Sequence, residues 1–424
     1  MNNRWKPGAV SALALLLGVN LFNYIDRQVL AAVEPEIRGT FFSASDPNAM
    51  AKTGLLGDAF LITYMISAPL LGWLADRFSR WVIIGSAVLL WSLASGGSGL
   101  AATFSLLFYT RICVGIGEGG YGPAAPTILA DMFPIGIRGR IMAIFTLAIP
   151  VGSALGYVIG GLVGAHLGWR WAFYLVAPPG LLLGSLCFFM RDPRDRDPTT
   201  AKNERVPLRD YFRLLVTLFR TPSFAINTLA QAAMTFAVAG LGFWIAEYLR
   251  FRGQPAASAK TIFGAVTVVA GLTATFTGGI VADKMRSRFP GSYFLVSGAG
   301  MLAACPFFVA GLYLPFPLAW FAMFAAIFCL FLNTGPSNTA LANVSMPAVR
   351  ATAFAINILI IHMFGDVPAF PGIGYIAGHT NIRVAFLFVT AVMLVSGIIW
   401  MFGARFLAAD TAAVESATAA PDEP

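Results

Sequence analysis

Charge is what this sequence lacks most. Only 11% of its 424 residues are Asp, Glu, Lys or Arg, against about 25% in a soluble domain. With 58% hydrophobic residues and a mean hydropathy of +0.75, the chain is built for lipid rather than water. Histidine and cysteine are scarce too. His166, His362 and His379, with Cys113, Cys187, Cys305 and Cys329, form no grouping with metal-ligand spacing, so no metal is expected. The cysteines lie in apolar runs, where they pack as small hydrophobes and carry no message about redox compartment. There is no GxxxxGK[ST] phosphate loop, which removes ATP as a drive and leaves no cofactor to expect. The alternating ten-residue segments of a membrane β-barrel are missing as well.

What the sequence has instead is apolar runs of about 20 residues or more, long enough to cross a bilayer as helices. Twelve are expected: 8–33, 54–75, 80–102, 105–131, 139–167, 171–190, 223–249, 258–282, 292–314, 317–346, 351–378 and 383–405. The fold class is therefore an all-α integral membrane protein with twelve transmembrane helices. Arg4 and Lys6 precede an apolar core much as in a signal peptide, but no small-residue cleavage site follows, so this segment is expected to remain as the first span. The net charge of +8 does not point to nucleic acid, because the basic residues gather in alternate loops. Nineteen of the 28 fall on one side, seven on the other, and Arg27 and Arg111 lie inside spans. The positive-inside rule then puts both termini in the cytoplasm, in a multi-pass protein of the cell membrane that is expected to be monomeric.

One long polar stretch, "RDPRDRDPTTAKNERVPLRDYFRLLVTLFRT", interrupts the spans. It divides the chain into a six-helix bundle over 1–190, a cytoplasmic linker over 191–222, a second six-helix bundle over 223–405 and a tail over 406–424 whose composition reads as disordered. The halves echo each other. "GWLADR" from Gly72 matches "GIVADK" from Gly279, and "RGRIMAIF" from Arg138 matches "RATAFAIN" from Arg350. Parallel repeats of six helices are a recurrent transporter design.

"GWLADRFSR" and its echo "GGIVADKMRSR" resemble the paired loop signatures of the major facilitator superfamily. Within it, "NYIDR", "RICVGIGEGGYGPAAPTILADMFP", "AIPVGSALGYVIGG" and "HMFGDVPAFPGIGYIAG" together resemble the Spinster family, whose animal members move lysophospholipids and sphingosine phosphate. The resemblance implies the major facilitator fold of two pseudo-symmetric bundles and a secondary transporter working by alternating access. It also implies a conformational latch at Gly72, Asp76, Arg77 and Arg80, with Asp283 and Lys284 as a weaker copy.

The sharpest anomaly is charge inside the spans. Asp26, Arg27, Arg111 and Glu118 each cost about 2.5–3.5 kcal/mol at mid-membrane, on the order of 10 kcal/mol together if unpaired. They must face one another or water. Arg111 and Glu118 are seven residues apart, two turns or about 10.5 Å along one helix face, and Asp26 falls at a depth close to that of Glu118. One reading is a buried ion-pair set, including Asp26, Arg27 and Arg111, that fixes helix register. The other is a watered cavity in which Glu118 and Asp26 exchange protons while Arg111, a fork of donors suited to phosphate or carboxylate, holds an anionic head group beside Arg27 and Tyr121. An anion engaging Arg111 would draw positive charge from Glu118 and favour its protonation, coupling substrate to proton.

The second half offers hydrogen bonders: Gln231 and Thr235 in the seventh span, and Asn333, Thr334, Ser337 and Asn338 in the tenth. They are expected to line the cavity with Trp244. Phe236, Phe243 and Trp244 suit a lipid tail, or simply packing. His362 and Asp366, four apart on one helix face, either satisfy each other or form a second proton site. The glycines at 115, 117, 119, 120 and 122, and those at 152, 156, 160 and 161, permit close approach of neighbouring helices.

The expected function is a proton-coupled secondary transporter of an anionic amphiphile, with protons and membrane lipids as its partners. A symporter of a small organic anion, such as a sugar acid or aromatic acid, is the alternative. A membrane enzyme acting on lipids would need a nucleophile with its base or a metal cluster, and the sequence has neither. A receptor has no use for paired latch motifs.

Overall fold

In a bilayer every backbone amide must find its partner within the chain, and a continuous apolar run does so as a helix. The computed structural model describes residues 6–75, 77–133, 135–193, 216, 218–346 and 350–419, and these residues contain helices and no strand. The first half contributes α1 (Ala9–Phe41), α2 (Ala49–Ala75), α3 (Arg80–Gly99), α4 (Phe104–Tyr121), α5 (Ala124–Met132), α6 (Ile135–Leu167) and α7 (Trp169–Cys187). The second contributes α8 (Pro222–Phe251), α9 (Ala256–Arg286), α10 (Ser292–Tyr313), α11 (Leu318–Phe331), α12 (Thr334–Asn343), α13 (Arg350–Ile361), α14 (Val367–His379) and α15 (Ile382–Ala419).

Among the described residues, ten helical segments are long and apolar enough to cross a membrane, and they match ten of the twelve expected spans. The other two are the fourth, which carries Arg111 and Glu118 and breaks between α4 and α5 at Gly122 and Pro123, and the sixth, α7, which opens on Trp169, Arg170 and Trp171. The tenth span breaks between α11 and α12, just before Gly335 and Pro336. The eleventh widens into a π-helical turn, His362–Asp366, ahead of Pro368, whose missing N–H frees a ladder carbonyl. Such turns are common at functional sites.

The described helices group into two compact units. One comprises Met1–Glu204 with Phe243–Ala265, and the other Arg205–Gly242 with Val266–Pro424. The sequence reading had cut once, at the linker. The facing ends of α8 and α9 instead belong to the first unit because ion pairs hold them there: Glu247 to Arg38, and Lys260 to Glu36 at 3.1 Å. Rings of Tyr157 and Phe263 add an edge contact at 5.3 Å. A second correction concerns the tail. α15 continues to Ala419, since Ala408, Ala409, Ala412 and Ala413 are strong helix formers and Asp410 accepts a hydrogen bond from Ser223 N at 2.8 Å.

Within the first unit, α4 is squeezed between neighbours. A Cβ on Gly117 would lie 2.8 Å from Trp91 N on α3, and the other face, at Gly115 and Gly119, abuts Thr63 and Ser67 on α2. α6 is seated on α1 in the same way, a Cβ on Gly156 falling 2.6 Å from Ile25 O. These glycines serve backbone approach, and they fix the register of α1, α2 and α4 on which the charged residues stand.

Candidate functional site

Asp26 and Arg27 are consecutive on α1 and so project about 100° apart. Arg111 and Glu118 are too far apart along α4 to pair with each other. The structure resolves both constraints by pairing across the two helices. Arg27 Nη2 lies 2.7 Å from Glu118 Oε2, and Arg27 Nε donates to the same oxygen at 2.7 Å. Arg111 Nη2 lies 3.5 Å from Asp26 Oδ2, while Ser95 Oγ on α3 donates to Asp26 Oδ1 and the Phe173 ring of α7 covers the Arg111 guanidinium at 5.7 Å.

The two pairs differ in access. The side chains of Asp26 and Arg111 are each 2% exposed, sealed among α1, α3, α4 and α7. Arg27 is 25% exposed, although its partner Glu118 is fully covered. Three rings surround the Arg27 guanidinium: Tyr24 at 5.1 Å, Phe60 at 4.9 Å and Tyr64 at 5.2 Å. Aromatic faces favour a cation while shedding water, so Arg27 stays charged in a mostly apolar pocket. Glu118 Oε1 is buried and makes no hydrogen bond among the described residues.

Of the two arginines, Arg27 has the access, at 25% exposed against 2% for Arg111, which lies beside Asp26. Tyr121, expected beside the head group, is buried: its hydroxyl donates to Leu16 O at 2.9 Å, and its ring packs on Trp91 and Phe145. The sealed pair leads to a stability prediction. Arg111→Met leaves Asp26 as an uncompensated buried charge, which costs about 3–5 kcal/mol and should lower the melting temperature in detergent. Asp26→Asn added to Arg111→Met should recover most of that loss, and a double variant no more stable than the single one would contradict the pairing.

In the second unit, Gln231, one of the residues expected to line a cavity, belongs to a buried chain of hydrogen bonds. Gln231 Oε1 accepts from Asn357 Nδ2 at 2.7 Å, and Asn357 Oδ1 accepts from Thr228 Oγ1 at 2.8 Å. Ser337 O accepts from Asn227 Nδ2 at 3.1 Å. Asn333 and Ser337 are buried, Thr334 and Thr235 are half-buried and Asn338 is exposed. The Asn338 amide donates to Thr334 O at 2.9 Å. Gly365 packs directly against Ala232 and Thr235. His362 Nδ1 and Asp366 Oδ2 meet at 2.6 Å across the π turn. In the first unit Trp244 is fully buried beside Phe243.

Asp76 lies outside the described residues. Around it, Gly72 faces Pro123, where a Cβ would sit 3.4 Å from the proline ring. Arg77 stacks on Trp73 at 3.6 Å. Arg80, 1% exposed, clamps two acids, Asp131 at 2.7 Å and Asp192 at 2.6 Å. In the other unit Asp283 accepts from Tyr293 Oη at 2.9 Å, and Lys284 is exposed.

Sequence reasoning missed a second ionic cluster at the opposite end of α1. Glu34 accepts from Arg38 Nε at 3.1 Å and from Thr53 Oγ1 at 2.6 Å. Arg38 also pairs with Glu247, which in turn receives Arg250 at 3.0 Å. The signal was present, because Glu247 stands alone in "FWIAEYL" and Glu34 and Glu36 directly follow the expected end of the first span. Asp58, a buried carboxylate on α2, was overlooked in the same way. Tyr24, Phe60 and Tyr64 could be found only with their helices in register.

Residues 16–369 match the family model of the Major Facilitator Superfamily. The chain is 34% identical over 375 residues to protein spinster homolog 3 of Danio rerio, covering 84% of this chain and 74% of that protein. It is 33% identical over 395 residues to the sphingosine-1-phosphate transporter SPNS2 of Xenopus tropicalis, covering 88% and 74%. Its fold is similar to that of a bacterial homolog to human lysosomal transporter Spinster, in an inward-facing and occupied conformation, with a TM-score of 0.80 at 23% identity over 99% of this chain and 100% of the other.

Proposed function

Because the chain belongs to the major facilitator superfamily, in its Spinster family, and is a membrane transporter rather than an enzyme, we propose that it moves an anionic amphiphile by proton-coupled alternating access. The observation that carries this reading is the Arg27–Glu118 pair: a partly open guanidinium, 2.7 Å from a covered carboxylate, ringed by three aromatic side chains. A phosphate or carboxylate head group competes with Glu118 for the fork of donors on Arg27. Once displaced, Glu118 is a buried carboxylate without a cation, and it takes a proton because an isolated charge there is too costly. Substrate anion and proton therefore load together. The aromatic ring of Tyr24, Phe60 and Tyr64 accepts the apolar part next to the head group. Similarity to the sphingosine-1-phosphate transporter SPNS2 supports a lysolipid or sphingosine-phosphate-like substrate.

The test is uptake into proteoliposomes of a fluorescent lysophospholipid, against a radiolabelled sugar acid, with and without an imposed pH gradient. Gradient-stimulated movement of the lipid alone is the expected result. Stimulated uptake of the sugar acid without the lipid would replace the amphiphile with a small anion.

In the orientation given by the basic loops, the Glu34–Arg38–Glu247 cluster lies at the outer end. It ties the end of α8 to α1 within the first unit, and in this reading the tie is released once in each cycle. Arg38→Gln should therefore raise the labelling rate of a cysteine placed at Thr53 by an impermeant thiol reagent, by roughly tenfold for a bias of about 1.4 kcal/mol. An unchanged rate would separate the cluster from gating.

A further inference from the structure

Away from the charged quartet, a cavity of 320 Å³ opens in the first unit where α1 begins. Its walls include Lys6 and Ser11 from the start of α1, Met132 from the end of α5, and Phe189, Met190 and Arg191 beyond the end of α7. Among the described residues, two cations and no carboxylate line it. The nearest acid in sequence, Asp192, is turned inward, where Arg80 binds it through N at 2.8 Å, Nε at 3.1 Å and Nη2 at 2.6 Å. The same arginine occupies Asp131. Lys6 and Arg191 are exposed, and neither forms an ion pair with another of the described residues. The start of α1 also contributes, since Gly8 offers no side-chain cap and the positive end of the helix favours an anion.

The rest of the wall is apolar. Phe189 is 83% exposed at the mouth of the cavity, and Leu182 and Leu186 continue from it along α7 as exposed hydrophobes, with Val10 exposed on α1. Leu182 and Leu186, four apart, share one face of α7, and Phe189 follows in the turn beyond its end. Basic pockets at the membrane surface between transmembrane helices take anionic lipid head groups. A free phosphate would use the cations and leave Phe189 and the apolar stripe uncovered. We propose that this cavity is a site for a two-chain anionic phospholipid, its phosphodiester between Lys6 and Arg191 and its acyl chains along Phe189, Leu186 and Leu182. The site is separate from Arg27 and does not depend on which substrate is carried.

The full-length protein, purified in detergent and incubated with equal amounts of phosphatidylglycerol and phosphatidylcholine, tests this by the lipid retained in native mass spectrometry. Wild type should retain phosphatidylglycerol preferentially. Lys6→Gln with Arg191→Gln should weaken that retention about 30-fold, two cations' worth of attraction to an anionic head group. Ser11→Phe, which fills the cavity and leaves both charges, should weaken it too, and Arg288→Gln, a surface cation elsewhere, should not. Arg27→Ala should retain the lipid as wild type does; loss there would place the bound lipid at the transport site and overturn the proposal. Glycerophosphoglycerol, the same phosphodiester without acyl chains, should fail to compete at the lipid's concentration, and equal competition would show an anion site with no lipid specificity, against the proposal. Undiminished retention by the folded double variant would overturn it as well. If the double variant aggregates, Ser11→Phe decides, and full retention by that variant counts against the site.

Discussion

Glu118→Gln should abolish the stimulation of transport by a proton gradient while binding the anion at least as tightly as wild type. The glutamine keeps the shape of the side chain but neither titrates nor competes as a charge for Arg27. In wild type the anion must displace a charge-assisted hydrogen bond worth about 1.5–3 kcal/mol, so affinity should fall roughly 10- to 150-fold as Glu118 goes from protonated to ionised. Protonation frees Arg27, hence the tighter binding lies on the acidic side and weakens as pH rises. In the glutamine variant the dependence on pH should disappear and affinity should stay at the acidic level. Calorimetric titrations at several pH values, paired with uptake in proteoliposomes, check both halves. A variant that keeps the full gradient response would remove Glu118 from coupling.

Arg27→Ala should lower affinity for an anionic lysolipid by about 100-fold or more, the scale of a lost charged hydrogen-bonding partner. Arg27→Lys should recover only part of it, because an ammonium is a point charge without the planar fork and fits the Tyr24, Phe60 and Tyr64 ring less well. Glu118 and Asp26 are both buried, so losing either arginine leaves a carboxylate that must take a proton or destabilise the fold, and it is ligand affinity that separates the two arginines. If Arg111→Lys loses the ligand and Arg27→Ala does not, the head group belongs on Arg111.

That exchange of roles shows what the sequence could and could not carry. The spans were legible because a bilayer imposes one length and one composition on every crossing segment. Which charge meets which was not. The two-turn spacing of Arg111 and Glu118 places both on one face of α4, but the rotation of α1 against that face is set by glycine contacts such as Gly156 on Ile25, and no periodicity reports it. Gln231 illustrates the same limit. A polar residue in a span reads equally as cavity lining or as one partner of a buried pair, and only the position of Asn357 decides. The Arg38 and Glu247 contact joins residues far apart in the chain, so it could not be read from either segment alone. The helical tail was misread because its polar composition outweighed a propensity that its alanines express once Asp410 is anchored.

The proposed coupling is one exchange, an anion taking Arg27 from Glu118 and Glu118 taking a proton. Proton uptake on ligand binding measures it directly. Lysophosphatidylglycerol suits the purpose, because its phosphodiester does not titrate near neutral pH, and the pH change on adding it to the purified transporter in weakly buffered solution can be followed with an indicator dye. Where Glu118 begins ionised, wild type should take up about one proton per bound anion, and Glu118→Gln should bind the lipid with none. Binding by wild type without proton uptake, or equal uptake by the glutamine variant, would contradict the account.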